Sequence, residues 1–255
     1  MTVVLGFDTA THATVVGLRL AAKETLQARD DPPAHAHGHP GHATRLLALA
    51  EDLLAQAKLP WSAVERIAVG VGPGRFTGLR VGLATARGLA QSLGAELVGV
   101  STLHALALGA RRSPSAGGAD RATMAVVDAR RGEVFAAAYP PADAEQIVFE
   151  RALSRSELVR VVDEIERRGG PAGERWQAVG DGALVYQSEL RAAGVIVPPP
   201  DSPLHLFDAA ALCELAAEAV ASTALEAVLP DYRRAPDAAL ARGRALAATA
   251  RGADA

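Results

Sequence analysis

Two segments of this chain begin alike, and that repetition restricts its fold more than any other feature. "TVVLGFD" (2–8) is an apolar run of strand length ending in aspartate, and "ATVVGLRL" (13–20) follows at hairpin distance. "ATMAVVDA" (122–129) again carries an aspartate near its end, and a tight "RRG" turn leads into "EVFAAAYP" (133–140). Short apolar runs bounded by turn residues read as buried strands. Around the first pair, "ETLQARD" (24–30) supplies a third strand, and leucines at 46, 47, 49, 53 and 54 mark a helix over 42–58. "RIAVGVG" (66–72) returns to strand character, 77–93 reads as a helix, "AELVGVS" (95–101) as a strand and "LHALALGA" (103–110) as a short helix. The second pair leads into an amphipathic helix near 155–168, a strand at "WQAVG" (176–180) and another short helix.

The order β-β-β-α-β-α-β describes half of a ribonuclease-H-like, actin-type fold. The expected class is therefore α/β: an actin-like ATPase fold of two ribonuclease-H-like lobes, with mixed central sheets flanked by helices. The N-terminal lobe is expected over 1–112 and the C-terminal lobe over 113–234, with "SPSAGGAD" (113–120) as the linker. After the stiff "PPPDSP" (198–203), Ser202 is placed to cap and Pro203 to start a helix over 204–222, packed back between the lobes. Residues 235–255 read as a frayed tail.

With 255 residues, 49% of them hydrophobic, the chain has material for real cores. A net charge of −3 argues against a protein that grips nucleic acid unaided, because phosphate neutralisation requires clustered cations. Cys213 is the single cysteine, which excludes an internal disulfide framework. Asp8 interrupts the only apolar N-terminal run, and no stretch approaches the roughly 18 apolar residues of a membrane span. The expectation is a soluble cytoplasmic protein with no membrane contact.

The loop "VGVGPGRFTGLRVG" (69–82) has the outline of a phosphate loop, but Gly72-x-Gly74-x-x-x-Gly78 matches neither the Walker nor the dinucleotide spacing. Pro73-Gly74 fits a type II turn, and Thr77 is a credible N-cap. Free amides at such a helix start favour an anion, and Arg75 sits poorly there without one. The loop is thus either a plain strand-to-helix turn or an anion site. Along the helix, Gly78, Gly82, Ala86, Ala90 and Gly94 recur every four residues as a ridge of small side chains. Leu79, Leu83 and Leu93 lie alongside, and Leu46, Leu49 and Leu53 make the earlier helix apolar over a wide arc. Either these helices are buried on both sides within one chain or they offer a partner surface; the surplus of leucines favours the partner. Asp8 and Asp128 end equivalent strands, the place where actin-type ATPases and sugar kinases orient magnesium-bound water. His35, His37, His39 and His42 are spaced for a shared face, but no cysteine or nearby carboxylate completes a metal set, so a solvated loop is expected. His104 is expected to pack on its apolar helix.

Together "LGFDTAT", "HATRLLALAEDLL", "GPGRFTGLRVGLATARGLA", "VGVSTLHALA", "DARRGEVFAAAY" and "LPDYRR" resemble the TsaB (YeaZ) family throughout residues 1–234. The family has serine where this chain has Arg75. The resemblance implies a non-catalytic subunit that binds and activates TsaD, with the ATPase TsaE. TsaD transfers threonylcarbamoyl from its adenylate to the adenosine 3′ of the anticodon in tRNAs reading ANN codons. It further implies tRNA contact only through the complex, and a homodimer where TsaD is absent. TsaD is a paralogue whose two metal-binding histidines fall in register with Thr102 and Leu106, neither of which ligates a metal. The expectations that follow are no catalytic residue, no metal and no cofactor, with a nucleotide at the shared interface the one candidate ligand. The partner surface is expected at Leu46, Leu49, Leu53, Gly78, Leu79, Gly82, Leu83, Ala86 and Ala90. A vestigial phosphate or nucleotide site is expected at Asp8, Thr9, Gly72, Gly74, Arg75 and Asp128. Two other classes compete: an actin-fold small-molecule kinase like the type III pantothenate kinases, and an M22-type metallopeptidase.

Overall fold

The computed structural model describes residues 2–20, 24–31, 41–113, 121–140, 147–149, 152–167, 176–222 and 224–233. The linker from 114 on, His35, His37 and His39, and the tail after 233 lie outside the described residues. A five-stranded sheet has the order β3-β2-β1-β4-β5, built from β1 (Val4–Asp8), β2 (Thr14–Arg19), β3 (Thr25–Asp30), β4 (Arg66–Gly72) and β5 (Glu96–Ser101). The first three pair antiparallel as successive hairpins, whereas β4 and β5 join parallel to β1 through helical crossovers. A second sheet repeats the centre of that plan. Its β6 (Thr123–Arg130) and β7 (Glu133–Tyr139) form a hairpin, and β10 (Gln177–Val179) pairs parallel to β6. Short β8 (Ile147–Val148) and β9 (Leu153–Ser154) extend it from β7. This is the actin-like pair of ribonuclease-H-like sheets expected from the strand order.

The period-two alternation of β1 explains the layering. Leu5 and Phe7 face one way, into a core shared with α1 (His42–Ala57) and α2 (Phe76–Leu93). Val4 faces the other way, toward α3 (Thr102–Arg112), α7 (Ala209–Glu218) and the inner side of the second sheet. The far side of the second sheet is covered by α4 (Arg155–Arg167), α5 (Asp181–Val185) and α6 (Gln187–Ala192). The stretch 204–222 is not one helix. Ser202 Oγ caps only a three-residue turn, Pro203–His205, and Asp208 then accepts from Ala210 N–H to start α7 afresh. Arg66 donates to the carbonyls of Ala216, Ala217 and Ala219, and so closes the end of α7. Arg87 on α2 similarly holds the carbonyls of Leu225, Glu226 and Val228, fastening the returning chain to the first lobe.

The small-residue ridge of α2 faces inward from Gly78 to Ala90, whereas Gly94 is the exposed, left-handed residue (φ 65°) that ends the helix. A Cβ on Gly78 would lie 1.9 Å from the Thr9 carbonyl oxygen, and one on Gly82 would lie 2.5 Å from Thr9 Oγ1. Leu46, Leu49, Leu53, Leu79, Leu83, Ala86 and Ala90 are all buried within the single chain. Gly78 and Gly82 are thus required by Thr9, just beyond β1, whose carbonyl and hydroxyl oxygens leave no room for a side chain. Replacing Gly78 by alanine forces backbone against backbone and should cost about 1–3 kcal/mol in urea denaturation. Wild-type stability in that variant would contradict the packing.

Candidate functional site

At the end of β1 the chain turns under the first turn of α2, and the expected phosphate-site residues do converge there. Their polar atoms, however, are engaged by neighbouring groups of the chain. Asp8 Oδ1 accepts from Ala10 N–H at 2.7 Å and Oδ2 from Thr102 Oγ1 at 2.7 Å. Thr102 Oγ1 in turn accepts from Gly72 N–H at 3.2 Å, so this one hydroxyl bridges β1, α3 and the end of β4. Asp8 is 1% exposed, and a Cβ on Gly70 would sit 1.8 Å from its Oδ2. Burial pushes this carboxyl up to about 6, against the smaller opposing pull of its bonds to Thr102 and Ala10. Thr9 spends its hydroxyl on the carbonyl of Gly78 at 2.8 Å.

The turn itself differs from the sequence expectation. The Gly72–Pro73 peptide is cis, and the positive φ (102°) falls on Gly72 rather than Gly74. Gly74 is instead where Ala10 approaches, its carbonyl oxygen 2.5 Å from where a Cβ would be. Arg75, not Thr77, holds the N-cap position, and no side chain caps α2. Arg75 N–H donates to the Ala10 carbonyl at 2.7 Å, and its Nη1 donates to His12 Nδ1 at 3.2 Å. A guanidinium can only donate, so Nδ1 is the acceptor and the ring proton of His12 sits on Nε2. Burial and the charge of Arg130 lower the pKa of Arg75, while Asp181 and Asp128 favour its charged form. Those carboxylates of the second lobe stand where an external anion was expected.

Asp128 accepts from Arg130 N–H at 2.8 Å, and its own N–H donates to Asp181 Oδ1 at 2.9 Å. The hairpin beyond it holds Arg130 and Arg131 at positive φ (64° and 56°), a conformation uncommon outside glycine. Sequence reasoning did not select Asp181, although "AVGD" repeats the strand-then-aspartate pattern of "LGFD" and "VVD". Burial raises the Asp181 carboxyl above its ordinary range. His42 packs where α1 meets α2, with Nδ1 2.8 Å from Thr14 Oγ1 and a buried Nε2 that has no hydrogen-bond partner. Burial, then Arg75 and His12, lower its pKa. His104 stacks on Tyr139 with ring centroids 5.0 Å apart. Thr102 and Leu106 both line a cavity of about 140 Å³ between the two lobes. Among the described residues no group of three or more His, Cys, Asp or Glu is placed to hold a metal ion.

The family model for TsaD, tRNA N6-adenosine threonylcarbamoyltransferase, matches residues 33–236. The tRNA threonylcarbamoyladenosine biosynthesis protein TsaB of Escherichia coli (strain K12) is 33% identical, over 91% of this chain and 94% of its own length. The chain belongs to the TsaB family. TsaB of Bacillus subtilis is 26% identical over 64% of this chain and 67% of its own. The solved structure of YeaZ from Pseudomonas aeruginosa superposes with a TM-score of 0.66 at 28% identity, covering 90% of this chain and 99% of that one. A second Pseudomonas aeruginosa structure, described as similar to the peptidase YEAZ, gives 0.69 at 29% identity, covering 92% and 100%.

In this TsaB-family chain the Asp8 carboxyl has a measurable signature. Its folded-state value lies above the ordinary 3.8, so the folded chain holds the proton more tightly than the unfolded one. Stability therefore falls as pH rises from about 4 to about 6, and the loss is complete above that window. Relative to the Asp8→Asn variant, the wild type should lose about 2–3 kcal/mol between pH 4 and pH 7 in urea denaturation. A difference that stays flat over that range would refute the buried carboxyl.

Proposed function

We propose that this chain is a non-catalytic, cytoplasmic subunit in tRNA threonylcarbamoyladenosine synthesis. It binds and activates TsaD, works with TsaE, and meets tRNA only through the complex. The names of its relatives support the pathway, and the state of the cleft supports the non-catalytic role. The carboxylate that an actin-type kinase needs for magnesium-bound water is buried and doubly hydrogen-bonded in this chain. At the two positions in register with the TsaD metal histidines stand Thr102, committed to Asp8 and Gly72, and Leu106.

The observation that carries the partner role is Gly88. It lies mid-helix in α2, exposed, and a Cβ built on it would meet nothing within 4 Å. Glycine there costs about 1 kcal/mol relative to alanine, and no contact among the described residues explains it. A second backbone approaching closely does. The contact surface is therefore the outward face of the same two helices, on the side of α2 away from the buried ridge. Leu47 (43% exposed) and Ala48 lie on α1, and Ala84, Thr85, Gly88 and Leu89 lie on α2. The same face serves a homodimer when TsaD is absent.

Gly88→Arg and Ala84→Arg should fold with wild-type or slightly higher melting temperature, since both sites are exposed, yet fail to co-elute with TsaD. Leu83→Glu should instead lose about 3 kcal/mol or more, because it buries a charge in the core. Co-elution of both arginine variants with TsaD would sink the proposed face.

A further inference from the structure

Phe76, Arg80, Ala84 and Gly88 recur every four residues along α2, and Arg80, Ala84 and Gly88 are exposed. The row runs from the outward face around Gly88 back to the start of the helix, where the returning chain meets it. Asp231 N–H donates to the Val71 carbonyl at 2.7 Å, which sets the next residue, Tyr232, beside α2. Tyr232 is 42% exposed, and its ring centroid lies 5.0 Å from that of Phe76.

These two aromatic side chains hold Arg80 in place. Its Cζ stands 3.9 Å over the Phe76 ring, and its Nε donates to Tyr232 Oη at 3.0 Å. The N–H groups on Nη1 and Nη2 meet no acceptor among the described residues, and no carboxylate there pairs with them. A surface arginine ordinarily gives up side-chain freedom when it forms an ion pair, but folding has already restricted this one. Its two Nη groups match the fork of a carboxylate. A phosphate backbone calls for several cations together, and the neighbouring ones are committed elsewhere. Arg87 is held by the carbonyls of Leu225, Glu226 and Val228, and Arg233 by Asp231 and the Phe149 carbonyl.

We infer that Arg80 is a docking cation for an aspartate or glutamate carboxylate of the partner subunit that covers the outward face of α1 and α2. Phe76 and Tyr232 are its positioning residues. This contact rests on the partner role proposed above and adds the chemistry of one recognition point to it.

The test is calorimetric titration of the full chain with TsaD at low and at high salt. Arg80→Met should weaken binding about tenfold or more at low salt and lose much of the wild type's salt dependence. Arg80→Lys keeps the charge without the fork and should recover only part of the loss. Tyr232→Phe removes only the hydroxyl that orders Nε, and should weaken binding about two- to fivefold while the salt dependence remains. Both side chains lie at the surface, so melting temperatures should stay near wild type; were Arg80→Met not to fold, Arg80→Lys and Tyr232→Phe would still decide. Wild-type affinity in these variants would overturn the docking role and leave the partner role standing, whereas a wild-type chain that does not bind TsaD would overturn both. Variants that bind TsaD normally but lower the affinity of the complex for tRNA would assign Arg80 to a phosphate and equally overturn the carboxylate contact.

Discussion

A single buried carboxylate organises the centre of this molecule. Asp8 ends β1, receives the Ala10 amide and the Thr102 hydroxyl, and through that hydroxyl reaches the amide of Gly72. Three elements far apart in the sequence are fixed to each other by these bonds. The fit is tight enough that Gly70 admits no Cβ beside the carboxylate. Burying the group raises its pKa, and the bonds lower it in part. An actin-type site leaves such an aspartate facing solvent and metal. In this chain the same aspartate is a structural joint.

That joint explains which parts of the chemistry were legible in the sequence. The strand order followed from short apolar runs and turn residues, since period two and hairpin distance determine pairing. The spacing of Gly78, Gly82, Ala86 and Ala90 was equally visible, but periodicity does not say which side of a helix meets which neighbour. The ridge faces Thr9 and β1, and the leucines that looked surplus fill the core between α1, α2 and the sheet. Gly88, exposed and with nothing among the described residues within 4 Å of a Cβ built on it, stands two positions out of that register. The break in 204–222 was hidden because both halves of the stretch are apolar, yet Asp208 is an ordinary N-cap signal within it.

The cleft follows the same logic. Arg75 seemed to require an anion at the start of α2, and the sequence alone offered none. Folding supplies Asp128 and Asp181 from the second lobe, residues too distant in the chain for spacing rules to connect. Positive φ at Arg130 and Arg131 turns the hairpin that carries Asp128. The polar atoms at the mouth of the cleft are thus largely spent within the chain.

We propose that this chain supports a partner's catalysis and performs none itself. Reconstituted threonylcarbamoyl transfer to tRNA by TsaD and TsaE tests it most directly, with this chain omitted, supplied as wild type, or supplied as Asp8→Asn. Omission should abolish multiple-turnover transfer, and Asp8→Asn should restore it as fully as the wild type. Full transfer without the chain, or an Asp8→Asn chain that joins the complex and leaves it inactive, would contradict the account.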